Sequence, residues 1–435
     1  MSGNFAIRGI IEGFYGVPWT HAQRLDMIGF VGGLGMNTFV YGPKDDAYVR
    51  RDWREPFGPT ELGLLNDLVI ACRGHGVTFI FALSPGLSMR YSSSDDFDLL
   101  IAKYRQVGSL GVTDFALLLD DIPGDLQHPA DREAFGSLVS AQVHLIDRLH
   151  VDLNGGLIVA PTVYWGRGDE PYLVELGRGI DPTIDIFFTG RAICAPVLES
   201  SDAERFTAAT GHRPLYWDNF PVNDVAMTHE LHLGPYLGRE ASLAEHSRGI
   251  IANAMPYAES SKIALSSIAD YLAGPEAFDP EASWHRALRR VAGADYETVR
   301  VFADSLRGSA VCTDDSPELA AHLERFAFRY GFGDGPAAVA DLAAESERLR
   351  EVASAMANIE NQALATEAAP WIAQYDRAAR ALGLCADLMA AGEVDAAGRA
   401  EVMASLEDVR AHRLRVHGDL VDMFLSDFAR EFEGS

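Results

Sequence analysis

Short unbroken apolar runs alternate, from residue 5 to about 255, with longer stretches whose apolar residues fall three or four apart. The short runs cover 5–15, 38–42, 77–83, 115–119, 156–160, 184–188, 215–217 and 250–252. A run with no polar alternation suits a strand buried on both faces, as in a parallel sheet. Segments between them, such as 22–30 and 95–107, carry helical spacing. Strand–helix alternation implies right-handed βαβ units. Eight such units over ~250 residues match an α/β fold of the (β/α)8 TIM-barrel type. A doubly wound sheet is the structural rival, but it would need far fewer strands ending in polar, Gly- or Pro-rich chemistry.

The pattern changes at Leu272-Ala-Gly-Pro-Glu-Ala-Phe-Asp-Pro280, where two prolines and a glycine mark a linker or a helix start. Beyond it Ala, Leu, Glu and Arg dominate, with apolar residues at helical spacing. Helices are predicted over 281–292, 295–307, 316–330, 336–359, 362–391 and 393–431. The expected organisation is therefore a barrel over 1–275 and an α-helical bundle domain over 276–435. No 20–50-residue repeat stands out, which argues against a solenoid.

Composition narrows the partners. The 435 residues hold 63 acids against 36 bases, a net charge of −27. So acidic a chain is a poor candidate for nucleic-acid or anionic-membrane binding. No apolar stretch approaches the ~20 residues of a membrane span. The first residues lack a basic segment followed by an apolar one, so no signal peptide is read and a cytoplasmic location is expected. Cys72, Cys194, Cys312 and Cys385 lie far apart in no metal-ligand spacing, which favours buried thiols over a disulfide framework. The histidines form no ligand cluster, so neither a metal nor a cofactor is expected. Long amphipathic helices after residue 336 could pair two copies.

Chemistry gathers where the apolar runs stop. The run 115–119 ends in Asp120-Asp121, with Pro123 soon after to prevent the ladder from continuing. The first run ends in Glu12-Gly13-Phe14-Tyr15-Gly16, the second supplies Lys44, the fifth Tyr164, the seventh Asn219 with Asp224, and the eighth Asn253. In a barrel all of these converge on the carboxyl mouth, where active sites are built. Some have plainer readings too. Lys44 could pair with Asp45 or Asp46, Tyr164 could be a rim aromatic, Trp217 could be barrel core, and the acids could cap a helix.

With those residues in view, a resemblance stands out. Arg8-Gly-Ile-Ile-Glu-Gly-Phe-Tyr-Gly-Val-Pro-Trp-Thr20 looks like the opening of glycoside hydrolase family 84, the β-N-acetylglucosaminidases that include protein O-GlcNAcases and the so-called bacterial hyaluronidases. Gly35-Met-Asn-Thr-Phe-Val-Tyr-Gly-Pro-Lys-Asp-Asp46 is similar to that family's second signature, and Leu119-Asp-Asp-Ile122 to its aspartate pair. Tyr216-Trp-Asp-Asn-Phe-Pro-Val-Asn-Asp224 resembles its strand-seven motif. The likeness covers the barrel in order and continues weakly at Ala369-Pro-Trp-Ile372.

The resemblance implies a retaining exo-β-N-acetylglucosaminidase acting on a GlcNAc-containing glycoside or glycoprotein, with the substrate's own acetamido oxygen as nucleophile. Asp120 would orient the acetamido group; Asp121 would protonate the leaving oxygen and later deprotonate water; Tyr164 would donate to the attacking oxygen. Asp224 and Asn253 would hold ring hydroxyls, Asn219 would lie near the acetamido group and the acids, and Lys44 and the Gly13 backbone would contact the hydroxyl side. Trp217, with Tyr164, would wall the pocket for the acetyl methyl. Two acids this close do not both ionise readily, so one should be pushed up, keeping Asp121 protonated at working pH; the pair would titrate together. Val163, Trp165, Phe188, Val225 and Ala254 depart from the family pattern and bear on pocket shape and aglycone preference. The rival functions are a non-catalytic GlcNAc-binding barrel, an endo-acting hyaluronidase-like enzyme, and a scaffold whose helices bind a protein.

Overall fold

The computed structural model describes residues 5–431 apart from residue 393. Eight strands, β1 (Ile7–Glu12), β2 (Thr38–Tyr41), β3 (Thr78–Leu83), β4 (Asp114–Leu118), β5 (Gly156–Ala160), β6 (Asp185–Phe188), β7 (Pro214–Asp218) and β8 (Gly249–Asn253), form a closed parallel barrel in sequence order. The ring closes where β1 pairs with β8, placing Ile11 opposite Asn253. Each predicted strand is present, and the TIM-barrel expectation holds. Run 5–15 is the one much shortened: its last residues leave the strand as a loop.

Alternation fills the barrel. Ile11, Val40, Ile80, Ala82, Ala116, Leu118, Ile158, Ala160, Phe187, Leu215, Trp217 and Ile251 form one buried cluster. Their two-residue spacing within β3, β4, β5 and β7 is that of inward-facing side chains. The intervening Phe81, Phe115, Leu117 and Tyr216 are equally buried, which is why the strands read as continuous apolar runs. Gly9 permits β1 and β2 to close up: a Cβ there would stand 2.2 Å from the Thr38 carbonyl oxygen. Connecting helices begin on conventional signals, as at Thr20, whose side chain and Gln23 form a reciprocal capping box.

Contacts divide the chain into two compact units. One comprises Met1–Asp224, Leu237–Ala258 and Leu265–Pro280 and holds the barrel. The other comprises Val225–Tyr236, Glu259–Ala264 and Glu281–Ser435, so it is discontinuous in sequence, where the sequence placed a single cut near 275. Its helices include Pro280–Ala292, Tyr296–Asp304, Pro317–Gly331, Gly335–Met356 and Gln362–Ala390. The single helix expected over 393–431 is instead two, Ala396–Ala411 and Leu420–Glu431. Arg413, His417 and Gly418 between them all have positive φ. His417 is fixed there: its amide donates to the Ser305 carbonyl at 2.8 Å, and its Nδ1 lies 2.8 Å from Ser316 Oγ. Arg415 binds Asp315 and Glu230 at 2.7 and 3.1 Å. These distant partners override helical propensity. Among the described residues, no helix is long and apolar enough to cross a membrane.

Candidate active site

The nine singled-out side chains and backbone groups all lie at the carboxyl ends of strands, or just beyond them. Gly13 and Tyr15 follow β1, Lys44 and Arg50 follow β2, and Asp120 and Asp121 follow β4. Tyr164 follows β5, Trp217 lies in β7 with Asn219 and Asp224 after it, and Asn253 ends β8. No expected residue falls elsewhere.

Asp120 is 7% exposed, and Lys44 Nζ donates to its Oδ2 at 2.5 Å. The alternative partners of Lys44 are engaged otherwise: Asp45 accepts from the Gly16 amide and Asp46 from the Tyr41 hydroxyl. Asp120 Oδ1 is buried and, among the described residues, receives no hydrogen bond. A buried acceptor left open in this way is costly unless something else donates to it.

Asp121 is exposed at the mouth, with φ of 54°. That left-handed value turns its side chain out of the line a strand would impose. Tyr15 Oη donates to Oδ2 at 2.7 Å and Tyr164 Oη to Oδ1 at 2.8 Å. The Tyr164 loop is anchored by the Thr189 amide, which donates to the Tyr164 carbonyl at 2.8 Å. The adjacency of two acids predicts a raised Asp121; the structure gives the opposite sign. Partial burial pushes its carboxyl up, but the hydrogen bonds from Tyr15 and Tyr164 and the charges of Lys44 and Arg50 outweigh it and hold it below the usual aspartate value.

A second network lines the opposite wall. The Gly13 amide donates to Asn253 Oδ1 at 3.2 Å, and Asn253 Nδ2 donates to Asn219 Oδ1 at 3.0 Å. Trp217 Nε1 donates to the same Asn219 oxygen at 2.9 Å, and Asn219 Nδ2 to the Ile193 carbonyl at 2.8 Å. Trp217 is part of the barrel core, edge-on to Phe187 at 5.2 Å, and its ring also lies 5.6 Å from Lys44 Nζ. A side chain at Gly13 would force a shift, since a Cβ there would lie 2.6 Å from Trp217 Cζ2. Asp224 Oδ2 accepts from the Tyr15 amide at 2.7 Å, and burial pushes the Asp224 carboxyl up.

Glu12 heads the first motif yet takes no part in this site. It is fully buried and bound by Arg24 at 2.7 and 2.9 Å and by the Trp19 amide at 3.0 Å, so it fastens the loop after β1. Tyr15 and Arg50 are the site residues that the sequence did not single out. Tyr15 sat inside the first motif; Arg50 lies in a turn-rich segment with no periodicity to betray it.

Fold and site together define a TIM barrel with paired carboxylates, amides, a lysine and aromatic walls at its mouth. Residues 8–304 match the family model described as beta-N-acetylglucosaminidase. The chain belongs to that family. Protein O-GlcNAcase of Rattus norvegicus and that of Mus musculus are each 32% identical to it over 271 residues, 60% of this chain. The match takes in only 29% of either relative's length. A solved structure of a mutant O-GlcNAc hydrolase from Thermobaculum terrenum superposes with a TM-score of 0.93 at 31% identity, covering 98% of this chain and 95% of that one.

Proposed function

We propose that the chain is a retaining, exo-acting β-N-acetylglucosaminidase that uses the substrate's acetamido oxygen as nucleophile. The observation that carries this reading is the state of Asp120. Lys44 holds Oδ2, while Oδ1 is buried and open to a donor, as an acetamido N–H would be. With its charge countered and one oxygen committed, Asp120 is suited to orient an amide and take up its developing positive charge. Adjacent acids also suit a mechanism in which neither needs to reach the anomeric carbon from the far face, the exception to ordinary carboxylate nucleophiles.

In the first step the acetamido oxygen bonds to the anomeric carbon, the glycosidic C–O bond breaks, and the Asp121 proton goes to the departing oxygen. An oxazoline forms, with its nitrogen held by Asp120. In the second step water bonds to the anomeric carbon, its proton passes to Asp121, and the ring reopens with net retention. The low proton affinity of Asp121 in the free protein fits this sequence if binding reverses its causes. A sugar that draws the Tyr164 hydroxyl to its acetamido oxygen removes one donor, and by covering the carboxyl it strengthens desolvation. Both changes raise proton affinity. Gly13, Lys44, Asn219, Asp224 and Asn253 supply the groups for hydroxyl and acetamido recognition, and Trp217 with Tyr164 supplies apolar wall.

The names of the relatives support O-GlcNAc-modified protein as the substrate class. The same reading includes a cytoplasmic setting, supported by the free thiols of Cys72, Cys312 and Cys385, since reducing compartments keep thiols unpaired. It also includes pairing of two copies through the helical segments, supported by apolar surface at Phe328 and Phe332, which are 64% and 79% exposed with rings 4.6 Å apart. Light scattering giving the mass of a single chain would remove the pairing. The test of the activity is release of the aryl group from an aryl N-acetyl-β-glucosaminide, with the first-formed sugar followed by NMR. β-configured GlcNAc is expected. No turnover by folded protein, or α-configured product, would overturn the reading.

A further inference from the structure

Arg50 and Tyr15 have no part in the steps above, yet both are engaged with Asp121. Arg50 Nη1 donates to the Tyr15 hydroxyl oxygen at 2.7 Å, and the guanidinium lies 5.1 Å from the Tyr15 ring centroid. Its Nη2 reaches the Asp121 carbonyl oxygen at 3.5 Å. A guanidinium only donates, so the Tyr15 oxygen must accept from it. The one hydroxyl hydrogen of Tyr15 is then committed to Asp121 Oδ2, 2.7 Å away. Tyr15 is fixed from behind as well, because its amide donates to Asp224 Oδ2. Arg50 thus contacts Asp121 twice, through Tyr15 at the side chain and directly at a carbonyl whose residue holds a left-handed backbone that non-glycine residues seldom adopt.

We propose that Arg50 and Tyr15 form a positioning relay that pins Asp121 Oδ2 and reserves Oδ1 as the oxygen that carries the proton to the leaving group. The proposal rests on the reading of Asp121 as proton carrier. Oδ1 is the oxygen that Tyr164 now occupies, at 2.8 Å. Once Tyr164 turns to the acetamido group, Oδ1 loses this donor while Oδ2 keeps Tyr15. In the acid step the O–H bond at Oδ1 breaks and the proton joins the glycosidic oxygen. The charge left on the carboxylate spreads to Oδ2, where the Tyr15 bond meets it. In the hydration step the water proton returns to Oδ1. The titratable and charged groups facing Asp121 are Tyr15, Lys44, Arg50, Asp120, Tyr164 and Asp224. Of these, only the Tyr15–Arg50 pair is left without a role at the sugar.

The test compares kcat at saturating substrate against pH for the parent, Tyr15→Phe and Arg50→Lys on two aryl N-acetyl-β-glucosaminides, one with a good and one with a poor leaving group, because kcat reports the ionisation of Asp121 with the sugar bound. Removing the Tyr15 hydroxyl takes a donor from the carboxylate and disfavours its charged form. The alkaline limb, which requires protonated Asp121, should move up by about half a unit to one unit. The loss of kcat should be about tenfold greater for the poor leaving group than for the good one, with KM little changed. Arg50→Lys keeps the charge but not the fork, so it should shift the limb the same way by less. An unmoved limb with equal losses on both substrates overturns the relay, and that is also what a purely structural role would give at temperatures where the variants are folded. Asp121→Asn separates the two claims. If Asp121→Asn is as active as the parent, the proton-carrier reading fails. If it is inactive on the poor leaving group while Tyr15→Phe keeps the parent limb, only the relay fails.

Discussion

Lys44→Met is the substitution whose cost the structure makes most explicit. The Lys44 and Asp120 side chains are 2% and 9% exposed, and they meet at 2.5 Å. A pair this dry contributes little net stability relative to two apolar residues, because desolvation offsets the attraction. Removing one partner is different: it leaves a buried carboxylate with no counter-charge, at about 3–5 kcal/mol. The lysine also contacts the Trp217 face at 5.6 Å, which adds ~0.5–1 kcal/mol. For a unit of this size the combined loss corresponds to a fall in melting temperature of roughly 7–24 °C. Thermal and urea denaturation followed by circular dichroism measures it. The double variant Lys44→Met/Asp120→Asn removes both charges and should recover most of the lost stability. Its activity should stay down by about 10²–10⁴-fold, because the amide cannot take up the positive charge of the acetamido group. The reasoning is refuted if Lys44→Met melts within about 1 kcal/mol of the parent, or if the double variant is no more stable than the single one.

Four further outcomes are expected. Asp121→Ala should harm substrates with poor leaving groups far more than those with good ones, and equal losses would contradict its assignment as acid. Gly13→Ala should raise KM and cost about 1–3 kcal/mol, because Trp217 Cζ2 and Cη2 would stand 2.6 and 3.0 Å from the new methyl while its indole stays bonded to Asn219; unchanged KM and melting would show that the ring can move aside. Tyr164→Phe should lower kcat by about 10–10²-fold without abolishing turnover, since one donor to the acetamido oxygen is lost; a parental kcat would exclude that donation. In the helical unit, burial pushes the Asp304 carboxyl up to about 6. Its favourable contribution is therefore present below about pH 4 and lost as pH rises through 6, so Asp304→Asn should stabilise the protein at pH 7, by as much as ~3 kcal/mol, and flatten its stability between pH 4 and 6. Melts across that range check the sign.

The barrel was legible because parallel strands covered on both faces must be apolar throughout, and their ends announce themselves when the apolar run stops. Run ends of this kind are what put Asp120, Asp121, Lys44 and Asn253 at one mouth on the sequence alone. The helical unit was less legible for a physical reason. The break between Ala411 and Leu420 rests on Arg413 and His417 in left-handed conformations and on partners at Ser305, Ser316 and Asp315, none of which leaves a local signal. Arg50 was missed for the same cause, since its contacts to Tyr15 and Asp121 bridge loops after three different strands. The sign at Asp121 was missed because proximity of the two acids was weighed and the donors around them were not visible. Two tyrosine hydroxyls and two cations decide it.

The central claim is that the substrate's acetamido oxygen, oriented by Asp120, is the nucleophile. The most direct measurement is kcat/KM across a series of aryl glucosaminides whose N-acetyl group carries zero, one, two and three fluorines. Each fluorine withdraws electrons from that oxygen, so the account predicts a steep, monotonic fall for the parent protein and a much shallower one for Asp120→Asn. A flat response in the parent would point to a nucleophile supplied by the protein and would contradict the account.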